Sequence, residues 1–332
     1  MRLRPVFLTL VLALLGAPAV AQAAPAPRVT VMTRNLYLGA DLIPLATTAP
    51  GAPFQQAAGR LFDEVKGTDP DARMKLIARE IADAGPDLVG LQEVSLWRTG
   101  PAPASTVAYD YTSTLTKELK RLHAHYKVVG LKRGFNVEGP TDRGFDIRLT
   151  LGDAILVRSG VKVSHVRTGT FKEQLTIPTQ AIGPVVVTRG WDSLDATANG
   201  ARFHFVNTHL EAYSQPVRLA QAKELVAGPL KSKLQTVLVG DLNSGPDLAD
   251  QGDRPPYQAI AAAGFKPLRS KKSSCCFDQL TGDAGWDHNV DWIMGKGGPK
   301  LAASDIVGRE KTASGNHPSD HGGVISILKL KG

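Results

Sequence analysis

The chain switches repeatedly between two hydrophobic rhythms. "RVTVMTRN" alternates apolar and polar residues as a half-buried strand does, and it ends on Asn35. The next segment repeats every three to four residues. Met74, Ile77, Ala78 and Ile81 fall on one helical face. Asp69 is placed to cap that helix, Pro70 suits its first position, and Gly85-Pro86 stops it. Leu88 to Gln92 then reads as a short apolar strand that delivers Glu93 at its end. "STLTKELKRL" reads as helix, "DAILVRSG" as strand, and both "TGPAPAST" and "GFNVEGPTDRGF" as loop.

The strongest strand pattern is "ARFHFVNTHLE". It puts Phe203, Phe205, Asn207 and His209 on one side, and His204, Val206 and Thr208 on the other. A helix follows from about Pro216, with Leu219, Ala222 and Val226 as its apolar stripe. "TVLVGDLNSG" is a buried strand running into a turn, "NVDWIM" is another strand, and "SDHGGVISILKL" is a loop leading to a last strand. No internal repeat and no Pro- or Ser-rich linker divides the chain. The expectation is one α/β domain over residues 25–332.

Polar residues follow apolar strands again and again. The ends read Asn35, Glu93, His209, Asp241 with Asn243, and Asp291, and Asp320 and His321 precede the final strand. A single Asp or Asn there is an ordinary turn residue. A full set of carboxylates, amides and imidazoles is how a sheet edge gathers a site from distant parts of the chain. Carboxylate and amide oxygens suit Mg²⁺, Mn²⁺ or Ca²⁺. Histidines beside carboxylates suit proton transfer near neutral pH.

Composition adds compartment and partner. Arg2 and Arg4, the apolar run Val6 to Leu15 and the small residues of "AVAQAA" have the form of a cleaved signal peptide over residues 1–24. The run is too short to span a bilayer, so the mature protein is expected outside the cytoplasm, secreted or periplasmic. Lys and Arg number 39 against 31 Asp and Glu, a formal net charge of +8. Without Arg2 and Arg4 the balance is 37 against 31, or +6. Such a charge favours polyanionic partners, nucleic acid or anionic lipid.

"MTRNLYL", "DLVGLQEV", "VNTHLE", "LVGDLNSGP", "NVDWIM" and "PSDHGGV" occur in the order used by the endonuclease/exonuclease/phosphatase superfamily. The resemblance spans about Arg28 to Leu328 and is similar to an exported bacterial branch. It implies a deoxyribonuclease-I-like fold, a four-layer αββα sandwich of two packed mixed β-sheets flanked by helices. It also implies roles. Glu93, Asn35 and Asp320 resemble the divalent-metal site. His209 resembles the phosphate-binding histidine, and Asp241 with Asn243 the pair that positions the attacking water. His321 resembles the acid/base histidine, and Asp291 the carboxylate that orients it. The family's frequent Arg two residues before that Asp is here Asn289.

The resemblance therefore implies an exported, Mg²⁺-dependent (or Mn²⁺- or Ca²⁺-dependent) phosphodiesterase. A nuclease is the first reading, with "LKRGFNVEGPTDRG" and "LRSKKSS" tracking the phosphate backbone. A phospholipase C or sphingomyelinase acting on phospholipid is the alternative, and a non-enzymatic binding module a third. A lipid enzyme would show an exposed aromatic hairpin, and none is evident. "GNHPSDH" evokes calcineurin-like metallophosphatases, but the accompanying motifs have the wrong spacing. Asp287 and His288 read as a solvated loop and His204 as structural. Cys275 and Cys276 are the only cysteines, and exported members of the branch carry such a pair, which implies a disulfide between neighbours.

Overall fold

The computed structural model describes residues 25–283 and 285–332. The predicted signal peptide, residues 1–24, lies outside them. The strands, in chain order, are β1 Arg28–Asn35, β2 Leu88–Gln92, β3 Leu96–Gly100, β4 Thr106–Asp110, β5 Tyr126–Pro140, β6 Asp146–Arg158, β7 Lys162–Thr170, β8 Leu175–Ile177, β9 Val185–Val187, β10 Gly190–Ala198, β11 Ala201–His209, β12 Thr236–Asp241, β13 Lys266–Pro267, β14 Asp291–Lys296, β15 Lys300–Val307 and β16 Gly323–Lys329. The helices are α1 Ile43–Ala46, α2 Ala52–Gly67, α3 Pro70–Ala84, α4 Tyr111–Arg121, α5 Gln215–Ala227 and α6 Pro255–Ala262.

The strands form two large mixed sheets. One is 8-stranded, in the order β15-β16-β1-β2-β6-β3-β4 with β5 on β6; the other is 6-stranded, β13-β14-β12-β11-β10-β7. β1 runs parallel to β2, and β11 parallel to β12; the other pairings are antiparallel. A small β8–β9 hairpin belongs to neither sheet.

Strand alternation builds the layers. Val29, Val31, Leu88, Ile155 and Val157 of the first sheet meet Phe203, Phe205, Val237, Val239 and Ile293 of the second in the central core. The opposite residues face outward. Met32, Val89, Leu91 and Leu156 pack under α2, α3 and α4. Val206, Leu238 and Met294 pack under α5 and α6. This is the αββα sandwich the motif order implied. Helix α3 keeps the predicted face, with Met74, Ile77, Ala78 and Ile81 fully buried. Asp69 accepts from Ala72 N at its start, and Gly85 closes its end at φ 54°.

Three expectations change. "GFNVEGPTDRGF" is not all loop, because β5 runs through to Pro140 as an arm of the β5–β6 hairpin. From Gly134 to Pro140 exposed, half-buried and buried positions are mixed, so neither helix nor strand period stands out. "TGPAPAST" does form a loop, but with strands β3 and β4 paired on either side. In α5 the buried stripe is Arg218, Gln221, Ala222 and Leu225 rather than Leu219, Ala222 and Val226. Polar residues turn inward there to hold the segment after β11. Gln221 accepts from Glu211 N at 2.9 Å, and Arg218 donates to the carbonyls of Glu211 and Ala212.

One amide pair ties the sheets together near their common edge. Gln92 Nε2 donates to Asn207 Oδ1 at 2.7 Å, and Asn207 Nδ2 donates to the carbonyls of Leu91 and Ala154 at 3.1 Å each. Gly90 leaves the room for it, since a Cβ at that position would sit 2.4 Å from both Asn207 Oδ1 and Val239 Cγ2.

Candidate active site

Along each central strand the inward positions are apolar until the last turn of the pleat, where they become polar. Asn35, Asn207, His209 and Asp241 continue the same faces as Val31, Phe205 and Val239. β14 and β16 run the other way, so Asp291 begins one and Asp320 and His321 precede the other. All eight predicted residues therefore lie at one edge of the sandwich. The first sheet supplies Asn35, Glu93, Asp320 and His321. The second supplies His209, Asp241, Asn243 and Asp291.

Local backbone aims the side chains. Glu93 and Asn243, each just past a strand end, hold φ of 55° and 45°, the left-handed region non-glycine residues seldom adopt. Asn35 Nδ2 donates to Glu93 Oε1 at 3.3 Å and to Asp241 Oδ2 at 3.1 Å, linking the sheets. Its Oδ1 accepts from Tyr37 N at 2.9 Å. Leu38 N donates to the other Glu93 oxygen at 2.6 Å. Asp241 Oδ1 accepts from Asn243 N at 2.9 Å.

His321 is clasped from across the sandwich. Its Nδ1 lies 3.0 Å from both carboxylate oxygens of Asp291. Nε2 then faces Asp241 Oδ2 at 3.7 Å and Asp320 Oδ1 at 4.0 Å. Burial works against charge on this ring, but the carboxylates of Asp291, Asp320 and Asp241 prevail and hold its pKa well above the ordinary value. Burial pushes Asp241 up to about 6, against the pull of His321.

His209 behaves oppositely. Burial, then the positive charges of Arg189 and His321, hold its pKa well below the ordinary value. Arg189 Nη1 sits 2.8 Å from His209 Nδ1, so that nitrogen accepts. Nε2 faces Asp241 Oδ2 at 3.5 Å and Asn243 Nδ2 at 3.2 Å. The ring is a neutral hydrogen-bonding group.

Two positions escaped sequence reasoning. Arg189 precedes β10 in an irregular stretch and brings a guanidinium to the site, beside Glu211 Oε2 at 3.7 Å. Arg269 donates to the Asp291 carbonyl at 2.6 Å and to Ser274 Oγ at 3.3 Å, and Ser274 Oγ donates to Asp291 Oδ2 at 2.8 Å. Arg269, in the irregular segment after β13, thus buttresses Asp291 in a protein where Asn289 replaces the family's Arg. Neither arginine has a periodic pattern to mark it.

The donor set fits a hard divalent cation. Burial first, and the neighbouring Asp320 charge second, raise the Glu93 pKa. A buried carboxylate whose ionisation is disfavoured by burial and by a second carboxylate is what a cation relieves. Glu93 and Asp320 would hold it through oxygen, with the Asn35 amide steadying Glu93. Asp241, Asp291 and His321 form a further buried group whose candidate ligand atoms all lie within 4.8 Å of one another.

Other expectations are placed as follows. His204 is structural, bridging Asp195 Oδ1 at 2.9 Å and the Pro229 carbonyl at 3.0 Å. Asp287 is exposed, with His288 half-exposed beside it. His317 of "GNH" stacks on Phe277 at 4.2 Å, away from the catalytic groups. Cys275 and Cys276 form a disulfide. Their sulfurs lie 3.7 and 3.6 Å from His321 Nε2. Apart from Arg269, several charges of the basic stretches are paired outside the site. Arg133 pairs with Asp110 at 3.8 Å, Arg143 with Asp63 at 2.6 Å and Lys272 with Asp305 at 2.8 Å. None of these lines the cleft that opens on the catalytic groups.

A sequence profile of the endonuclease/exonuclease/phosphatase family matches residues 57–321. The fold is similar to an endonuclease/exonuclease/phosphatase from Bacteroides vulgatus, at 16% identity and a TM-score of 0.58, covering 92% of this chain and 99% of that one. It is also similar to a mannosyl-6-phosphatase of Bacteroides thetaiotaomicron (17% identity, TM-score 0.54, 90% and 99% covered). A humanised D. rerio TDP2 aligns at 16% identity and a TM-score of 0.53, covering 91% and 98%. These likenesses speak to fold alone. No curated protein sequence matches the chain.

Proposed function

The chain belongs to the endonuclease/exonuclease/phosphatase family and is a hydrolase of phosphoric esters, and from this premise we propose that it is an exported, divalent-metal-dependent phosphodiesterase. The observation that carries the reading is the clasp of His321 by Asp291 across the sandwich, directly over Asp241. A bound Mg²⁺, Mn²⁺ or Ca²⁺ supplies charge to polarise the phosphate.

The chain's own groups do the rest. Asp241, poised to accept a proton near neutral pH, orients the attacking water and takes its proton. Asn243 and neutral His209 hydrogen-bond the phosphate, and Arg189 adds positive charge beside them. His321 carries a proton that Asp291 keeps directed at Nε2, and it delivers that proton to the departing oxygen. Hydrolysis is direct, without a covalent enzyme intermediate. Export is supported by the pattern of residues 1–24 alone.

Net charge supports a nucleic-acid substrate. The character of the cleft supports a lipid-like one. The test is a panel of plasmid DNA, RNA, sphingomyelin and bis(4-nitrophenyl) phosphate, each with Mg²⁺ and with EDTA. Metal-dependent turnover of at least one diester is expected. No turnover of any, or turnover undiminished by EDTA, refutes the reading.

A further inference from the structure

The catalytic groups occupy one end of a cleft that leaves about 170 Å³ of open space. Glu93, Arg189, His209, Asp241, Asn243 and His321 line that end. Beyond them the walls are almost wholly apolar. Leu42 and Leu45 come from α1 and its approach, Phe54 from α2, Val137 from β5, and Ile182 and Val187 from the β8–β9 hairpin. Thr179, Thr188 and the phenol of Tyr213 are the polar side chains on this stretch of wall.

Phe54 is buried core, but the other residues named are only half-buried where they pack against that core. α1 contains no buried residue, although Ile43 and Leu45 are large and apolar. The β8–β9 hairpin joins neither main sheet, and Ile177, Val185 and Val187 remain half-exposed. Contiguous apolar surface left open beside polar catalytic groups marks a ligand site. The wall also selects the ligand. A nucleobase would bury several ring nitrogens and carbonyls against only two threonine hydroxyls and the Tyr213 phenol, and unpaired polar groups are costly to bury. An alkyl chain has none. Apolar cavities of about 150 Å³ lined by such residues admit a benzene-sized group.

We infer that this cleft is a subsite for an apolar chain, and that the substrate is an amphiphilic phosphodiester whose alkyl or acyl chain lies between α1 and the β8–β9 hairpin while its phosphate meets the catalytic groups. The inference rests on the phosphodiesterase reading above. The phosphate end anchors the molecule, and the chain supplies affinity by leaving water. The half-exposed rim of Leu42, Ile43 and Leu45 gives a chain apolar surface on which to enter from an aggregated lipid surface.

The test compares methyl 4-nitrophenyl phosphate with decyl 4-nitrophenyl phosphate, both kept monomeric, with Mg²⁺. The native protein is expected to show at least a tenfold lower KM for the decyl ester at similar kcat. Leu45→Asp with Ile182→Asp is expected to remove that advantage and leave the methyl ester's rate unchanged. Calorimetry of dodecyl phosphate against butyl phosphate gives a readout free of catalysis, with tighter binding and a more negative heat-capacity change expected for the longer chain. Equal kcat/KM for the two esters and equal binding of the two phosphates overturn the chain subsite. Plasmid nicking more efficient than decyl-ester hydrolysis overturns it as well. Chain-dependent binding without hydrolysis of either ester sustains the subsite but refutes the phosphodiesterase reading, so the two failures are distinct.

Discussion

Arg189 Nη1 lies 2.8 Å from His209 Nδ1, so the first histidine of the site is held by a cation and not by a carboxylate. Burial and this neighbour depress the ring's pKa. His209 is therefore expected to titrate well below the ordinary histidine range, as followed by its ring NMR signals. In Arg189→Met that titration should move upward. The same substitution should lower kcat by about 10²-fold, the size seen when one preorganised charge-stabilising donor is removed. An unchanged titration in Arg189→Met refutes the assignment.

The Asp291–His321 clasp gives a second expectation. Asp291→Asn preserves shape but turns one acceptor into a donor against Nδ1. A loss of roughly 10²- to 10⁴-fold in kcat is expected, the range of general acid–base assistance. Circular dichroism and melting temperature should stay near native. Equal activity in Asp291→Asn and native protein refutes the orienting role.

Metal dependence separates holding from catalysis. Glu93→Gln removes one of the two opposed carboxylates. Added Mg²⁺ should raise the native melting temperature, by ligand linkage to the folded state, and should have little effect on Glu93→Gln. Differential scanning fluorimetry with and without EDTA reads this. Equal Mg²⁺ shifts in both proteins would place the cation elsewhere.

A pH effect on stability is expected from Asp192. It is fully buried on β10, and neither oxygen has a hydrogen-bond partner among the described residues. Burial, and then the nearby Asp153 carboxylate, push its pKa up to about 9, with the neighbouring Asn207 amide and then Lys132 pulling the other way. A folded pKa raised above the unfolded value means that the folded state keeps the proton longer. The stability it brings is present below about pH 4, the ordinary Asp value, and is lost progressively up to about pH 9. Asp192→Asn cannot ionise. Its melting temperature should gain on the native protein as pH rises from 5 to 8, and a constant difference would contradict the argument.

The paired cysteines raise a further expectation. Thiol labelling of unreduced, denatured protein should find no free thiol. Because the sulfurs touch the Nε2 side of His321, mild reduction should lower kcat while leaving far-UV circular dichroism intact. Two labels per chain before reduction rule the bridge out.

Much of the site was legible because strands speak twice. The alternation in "ARFHFVNTHLE" puts Phe205 and His209 on one face, so it points both to the core and to the place where the core ends. Glu93 and Asp241 are found the same way. Arg189 and Arg269 are not, because irregular segments carry them and no period predicts where those segments fold back. Only the end of β5, Gly134 to Pro140, reads as loop, because exposed, half-buried and buried positions mix there with two glycines and a proline, which blurs the apolar face that periodicity detects. The apolar cleft was hidden for a related reason. Its walls come from α1, α2, β5 and β8–β9, each too short or too mixed to stand out, and only the fold brings them together.

The Gln92–Asn207 amide pair reaches beyond packing. It sets the gap between two sheets that each carry half of the catalytic set. Neither sheet alone has a working site, however well formed its strands. Catalytic turnover is therefore an assay of docking: it appears only when the halves have closed to the right separation. Asn207→Ala, which lets the gap relax while both sheets remain intact, is expected to silence the protein well before it unfolds it.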